Sequence, residues 1–224
     1  MATVARPITA SLPRLPVQRL LLHEVPWKTY ERLLDDYVDC QVPRFAFDRG
    51  TLEIVMVLSS DHEKIKRALE LLIDLITGEL EIDAISVGSM TFRRAAVERG
   101  FEPDSSYYIQ TANAVQGRRI DPEIDPPPDL IIEIDLTSDS LIKDPLYAGL
   151  GIPEVWRFDG ERVSIRLLRD GTYDEAPASL ALPLLTSTVL NGFLAEFQSL
   201  PRHRWQRSIQ EWVRTQRTEN RQAT

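Results

Sequence analysis

The chain is nearly free of cysteine. Cys40 is the only one in 224 residues, so an internal disulfide and a cysteine-based metal knuckle are both excluded. Long apolar runs are missing too. No window approaches 18 uncharged apolar residues, and no transmembrane helix is expected. The stretch from Met1 to Pro16 carries arginines but no apolar segment of the signal-peptide kind. These absences point to the cytoplasm and to no membrane partner. Positive charge is in deficit as well. Lys and Arg number 26 against 34 Asp and Glu, for a net charge of -8, which argues against unspecific coating of nucleic acid. A metal-dependent enzyme acting on nucleic acid remains open, because cations neutralise an acidic site and local basic patches can do the binding. There is no glycine-rich phosphate loop and no nucleophile elbow.

What is present describes one α/β domain with terminal extensions. Apolar residues make up 43% and charged residues 27%, the balance of an ordinary globular protein with a substantial core. Residues 1–20 lack periodicity and carry three prolines, as a loose arm does. Residues 21–200 hold the patterned elements. Residues 201–224 carry six arginines against Glu211 and Glu219. A solvated helical tail accounts for them; a phosphate-contacting arm is the sharper alternative.

Periodicity orders the domain. Tyr30, Leu33, Leu34 and Tyr37 predict a helix over 27–38. Residues 44–58 predict a hairpin turning at Asp48-Arg49-Gly50. Ser59-Ser60-Asp61 caps a helix that Gly78 stops. Residues 82–87 and 105–110 predict strands, and 93–99 a short helical turn closed by Gly100. A long polar loop spans 111–128, and long ordered loops often serve a site. Thr137-Ser138 caps a helix to about Leu150, in which Pro145 is awkward unless it sits in the first turn. Residues 155–158 and 163–168 form a hairpin about Asp159-Gly160, and a helix covers 186–200. Together these predict a mixed β-sheet flanked by helices, with the 44–58 hairpin as an N-terminal extension.

Asp129-Leu130-Ile131-Ile132-Glu133-Ile134-Asp135-Leu136 carries the chemistry. It alternates as a strand does, with Leu130, Ile132, Ile134 and Leu136 on one face. Glu133 and Asp135 share the other, roughly 7 Å apart. Crowded carboxylates repel, and a divalent cation is the usual compensator at a functional site. Glu102-Pro103-Asp104 opens an earlier strand. Acids from two adjacent strands can converge on one cation. Asp129, which also follows proline, competes with Asp104, but Asp104 belongs to a different strand from Glu133 and so approaches from another direction. Standing alone, Asp104 is an ordinary turn residue and Glu133 with Asp135 an ordinary solvated pair. Tyr147, Trp156 and Phe158 are read as core.

The order of helix, strand, Pro-Asp, Glu-x-x and helix resembles the PD-(D/E)XK nuclease superfamily. Residues 40–200 are more narrowly similar to the Uma2 (DUF820) family of restriction-endonuclease-like proteins, abundant in cyanobacteria. The stretches that carry the likeness are 56–63, 88–94, 100–110 and 125–158. Chief among them are Pro127-Pro128-Asp129-Leu130-Ile131-Ile132-Glu133-Ile134-Asp135 and Tyr147-Ala148-Gly149-Leu150-Gly151-Ile152-Pro153-Glu154-Val155-Trp156. The resemblance implies a restriction-endonuclease-like core and a Mg²⁺ site that also works with Mn²⁺. Asp104 and Glu133 would be the metal ligands, with the Ile134 carbonyl as a third. The superfamily usually places lysine two residues after the glutamate. Here Asp135 stands there, and Lys143, four before Tyr147, would supply the ammonium group. Asp135 would be a second-metal ligand or a solvated carboxylate. Glu63, Glu70, His62 and Gln110 are auxiliary candidates, each with an ordinary alternative as surface, cap or sheet residue. The implied partner is double-stranded DNA, met by a two-fold homodimer because a duplex presents two antiparallel strands. A fold kept for binding nucleic acid or protein after the site has decayed is the competing function, and RNA an alternative substrate.

Overall fold

The computed structural model describes residues 18–38, 40, 42–56, 60–136 and 143–222. Its elements are β1 (Gln18–Leu22), α1 (Trp27–Asp36), β2 (Arg44–Asp48), β3 (Thr51–Met56), α2 (Ser60–Leu80), β4 (Ile85–Ser86), β5 (Phe92–Arg94), β6 (Arg99–Phe101), β7 (Ser105–Tyr108), α3 (Ala112–Val115), β8 (Leu130–Ile134), α4 (Lys143–Leu150), β9 (Glu154–Phe158), β10 (Val163–Arg169), β11 (Thr172–Ala176), α5 (Ser187–Ser199) and α6 (Arg202–Gln222). Of the arm expected over 1–20, residues 18–20 belong instead to β1, which pairs with β3; residues 1–17 and the expected caps Ser59 and Thr137-Ser138 lie outside the described residues. No helix among the described residues is long and apolar enough to cross a membrane.

The α/β class predicted from periodicity holds, but the strands divide into two sheets. Six form a mixed sheet in the order β11-β10-β9-β8-β7-β4, with β8 and β9 parallel. Five form an antiparallel sheet in the order β1-β3-β2-β6-β5. The expected hairpin is therefore the centre of a second layer. Its turn has Arg49 and Gly50 both at positive φ, the backbone a two-residue hairpin needs.

β8 lies in the middle of the six-stranded sheet, and all five of its residues are buried. Leu130, Ile132 and Ile134 face α2, α5 and α6 in the largest apolar cluster. Ile131 faces a second cluster shared with α4, Phe92 of β5 and Phe101 of β6. The predicted alternation holds, but both faces enter a core, as expected for a strand with a parallel neighbour and covered sides. The crossover from β8 to β9 passes through α4, which lies between the sheets. Pro145 is the third residue of α4, in the first turn, where its missing N–H costs nothing.

Four local expectations differ. Gly78 does not stop α2, which continues to Leu80. The chain turns instead at Glu81, with φ 58°, and the Ile82 N–H closes back on the Thr77 carbonyl. The strand over 82–87 shortens to Ile85–Ser86. Residues 92–101 are two short strands about a 3₁₀ turn. Gly100 lies in β6, where a side chain would meet the Tyr30 ring. Finally, α6 is not only a solvated tail. Trp205, Ile209 and Val213 are fully buried in the main cluster at four-residue spacing, the stripe a packed helix shows. Arg214 and Arg217 on its outer side pair with Glu79 and Glu81.

Candidate active site

Asp104 and Glu133 come together because β7 and β8 are antiparallel neighbours. Ser105 pairs with Ile132 and Ser106 with Ile131. One more step in that register sets Asp104 opposite Glu133, on the same face of the sheet. Both acids are 3% exposed. Burying carboxylates is costly unless each oxygen finds a donor or a cation, and here each does. Asp104 Oδ2 accepts the Ile134 backbone N–H at 2.7 Å. Its Oδ1 accepts from Arg44, and the His62 imidazole Nε2 stands 3.0 Å away. Glu133 Oε1 accepts the Tyr147 hydroxyl at 2.7 Å, and Oε2 accepts Lys143 Nζ at 2.5 Å.

Lys143 is the first residue of α4. The crossover returns it over the carboxyl end of β8, where open α/β sheets gather their functional groups. Its ammonium also reaches Asp135 Oδ1 at 3.1 Å. The other Asp135 oxygen accepts Arg157 Nε at 2.7 Å from neighbouring β9. Of the two alternatives for Asp135, a solvated carboxylate does not fit, because its side chain is 9% exposed and held by two cations.

The electrostatics separate the two facing acids. Burial works against the Asp104 carboxylate, yet the His62 hydrogen bond and the Arg44 charge outweigh it and hold the acid below the usual range. Glu133 moves upward, because burial and the charges of Asp104 and Asp135 exceed the opposing pull of Lys143. Burial would also lower the Lys143 ammonium, but Glu133, Asp135 and Asp104 keep it protonated. Burial and Glu133 hold the Tyr147 proton in place, so its hydroxyl is a fixed donor. Acids driven in opposite directions by their surroundings are a mark of sites that move protons.

The other candidates divide. His62 is buried and touches Asp104, so it belongs to the site. Glu63 is largely exposed and reaches the far nitrogen of His62 at 3.2 Å and Lys66 at 3.9 Å. Glu70, about 10 Å further along α2 than Glu63, meets Arg67. Gln110 lies beyond the opposite end of β7, where it donates to the Ala181 carbonyl. Asp129 has a different task. Its Oδ2 accepts the Ile109 N–H, the Thr111 N–H and the Thr111 hydroxyl, which ties the start of the 111–128 loop to β8.

Sequence reasoning missed Arg44, Arg157 and the hydroxyl role of Tyr147. Arg44 had a partial signal. β2 buries Phe45 and Phe47 on one face, and alternation sends Arg44 to the other, toward the six-stranded sheet. Nothing in the sequence says that this face meets Asp104.

Two buried acids from adjacent strands and a lysine from the crossover helix, on a mixed sheet with helices outside, define a nuclease-like α/β protein. The family model of Uma2, described as "Putative restriction endonuclease", matches residues 27–201, and the chain belongs to that family. It is also similar in fold to the crystal structure of a "putative nuclease belonging to DUF820" from Anabaena variabilis, with a TM-score of 0.50 and 16% sequence identity over 71% of this chain and 97% of that one. No curated protein matches the chain.

Among the described residues no group of three or more His, Cys, Asp or Glu side chains is arranged to hold a metal. Asp104, Glu133 and the Ile134 carbonyl would give a sparse set of oxygens, of the size taken by Mg²⁺, an ion that retains several waters and takes only one or two carboxylates.

Proposed function

We propose that this protein is a Mg²⁺-dependent endonuclease of double-stranded DNA, with Mn²⁺ able to replace Mg²⁺. The meeting of Asp104, Glu133 and Lys143 at one end of the six-stranded sheet carries the reading. Asp104 Oδ1, Glu133 and the Ile134 carbonyl would hold the cation, which when bound makes a water acidic and offsets phosphate charge. Lys143 would orient that water and stabilise charge as it develops. Tyr147 fixes one Glu133 oxygen and leaves Oε2 to face Lys143. Asp135, gripped by Arg157, holds Lys143 from its other side. A two-fold homodimer would present two such sites to the two strands of a duplex.

One observation favours the competing reading of a binding module. Each oxygen of both central carboxylates already has an internal partner. Supercoiled plasmid separates the two. Purified protein is incubated with Mg²⁺ or Mn²⁺ beside Glu133→Ala and Lys143→Ala. Cleavage that disappears in both variants supports the nuclease. No cleavage, with DNA binding that weakens as salt rises, supports the module and overturns the proposal.

A further inference from the structure

The five-stranded sheet sends a charged side chain into the site. Arg44, the first residue of β2, donates through Nη1 to Asp104 Oδ1. The other oxygen of Asp104 is bound to the Ile134 backbone N–H within the sheet, so Oδ1 is the one that faces the cluster. Arg44 also feels the charges of Glu133 and Glu102. Around the two acids stand three carboxylates, Asp104, Glu133 and Asp135, and three permanent cations, Arg44, Lys143 and Arg157. Those six charges offset one another before any metal arrives, with His62 beside Asp104 and Glu102 near Arg44 outside that count.

A divalent ion added to such a cluster meets no net attraction, and like charges within a few ångströms repel strongly at low dielectric. One cation must withdraw. Lys143 begins the crossover helix and is held between Glu133 and Asp135. Arg157 holds Asp135 from within β9. Arg44 comes from another layer through a long, hinged side chain, 22% exposed, and together with His62 it covers the Asp104 oxygen that a metal would need.

We propose that Arg44 is a resident counter-cation, which holds the Asp104 carboxylate in place without metal and is displaced from Oδ1 when a divalent ion binds. The inference rests on the Mg²⁺-site reading above and adds a residue outside its ligand set. Arg44 is a positioning residue. It sets how tightly and how selectively the site takes a cation. A singly charged ion gains too little to displace the guanidinium, whereas a small divalent ion gains more.

The test uses Ca²⁺ alone, without DNA, and reads binding by calorimetry and by thermal shift. Arg44→Gln removes the competitor. Its melting temperature without metal should fall below wild type, while its Ca²⁺ dissociation constant tightens at least about tenfold. The difference in melting temperature should then narrow as Ca²⁺ saturates, because an ion bound only to the folded state stabilises it. Arg44→Lys, which keeps the charge, should restore an affinity near wild type. A merely structural arginine would lower the melting temperature and leave the affinity equal or weaker, and that result overturns the proposal while the metal site stands. If wild type, Arg44→Gln and the Asp104→Asn control are all silent to Ca²⁺, the metal-site reading itself fails. Should Arg44→Gln not fold, the ¹⁵N resonances of the wild-type Arg44 guanidinium are followed during the titration. They should shift with the binding isotherm, and resonances that stay fixed through saturation overturn displacement.

Discussion

Lys143 and Glu133 are ten residues apart in the chain, yet the ammonium lies 2.5 Å from Glu133 Oε2. The ammonium is also 3.1 Å from Asp135, so one cation serves two acids that would otherwise repel. Removing it leaves both with less than they need. Lys143→Met, similar in length but uncharged, is expected to lower unfolding stability by about 3 kcal/mol, the scale for breaking a buried pair from one side. It should also lower any plasmid cleavage at least about a hundredfold. Adding Glu133→Gln should recover part of the stability and none of the activity. Denaturant unfolding of the two single variants and the double measures the coupling; additive losses would mean that the pair contributes nothing.

The two aspartates that follow proline in this chain make a second prediction. Asp104 faces Arg44, His62 and Glu133, whereas Asp129 spends one oxygen on three donors of the loop after β7. Asp129→Ala should cost about 2 kcal/mol, the scale for buried donors left without a partner. Below its melting temperature it should keep wild-type cleavage, with the Mg²⁺ dependence unchanged. Asp104→Asn should do the reverse: activity lost, fold kept. A Mg²⁺ requirement that weakens in Asp129→Ala would reassign the ligand.

Acid stability gives a third. Asp125 accepts a bidentate contact from Arg118 at 2.6 and 2.8 Å and the Asp121 N–H at 2.7 Å. The Arg118 contact, with the Asp121 N–H second, holds its carboxyl below the usual carboxylate range. A carboxyl lowered in the folded state stabilises the fold above its unfolded value, near 3.9. That contribution disappears as pH falls through the lower folded value, because the unfolded chain then binds the proton more tightly. Wild type should therefore lose stability over that interval more steeply than Asp125→Asn, and the two curves should converge at the acid end. Urea unfolding in steps from pH 5 downward reads this directly. Parallel curves would show that the Arg118 contact carries no weight in solution.

The acidic strand was legible because β8 has an alternating code that survives burial on both faces. Asp104 and Glu133 could be paired from their place on neighbouring strands, whereas Lys143 came only from the family resemblance, which implies a basic residue one helical turn before Tyr147. What stayed hidden came from packing between layers. Arg44 reaches Asp104 only because a second sheet lies over the first, and sheet stacking leaves no period in the sequence. His62 looked like a capping or surface residue because its position near the start of α2 says nothing of the strand beneath it. Gly78 looked like a stop signal, yet the αL turn falls three residues later at Glu81, where the intrahelical spacing ends. The 92–101 stretch misled for a simpler reason: strands of three residues are too short to show a period of two.

The arginines over 202–221 drew attention to charge, and the apolar stripe under them is what fixes α6. Trp205 is fully buried, its indole N–H donates to the Phe193 carbonyl at 2.7 Å, and its ring meets Phe197 edge-on with centroids 5.1 Å apart. Ile209 and Val213 continue the stripe one and two turns later. Truncating so large a side chain forfeits its transfer energy and leaves a cavity, so Trp205→Ala should cost about 3–5 kcal/mol. Replacing the exposed Arg204 and Arg207 with glutamine should leave the melting temperature within a degree or two, because exposed charges contribute about 0–1 kcal/mol each. The same pair of changes also tests the alternative use of this segment. If the outer face of α6 binds phosphate, the double arginine variant should hold DNA more weakly and with a shallower salt slope, by about one unit for each phosphate no longer neutralised. If the helix serves only the core, Trp205→Ala alone should alter the protein, and the salt slope of the arginine variant should match wild type.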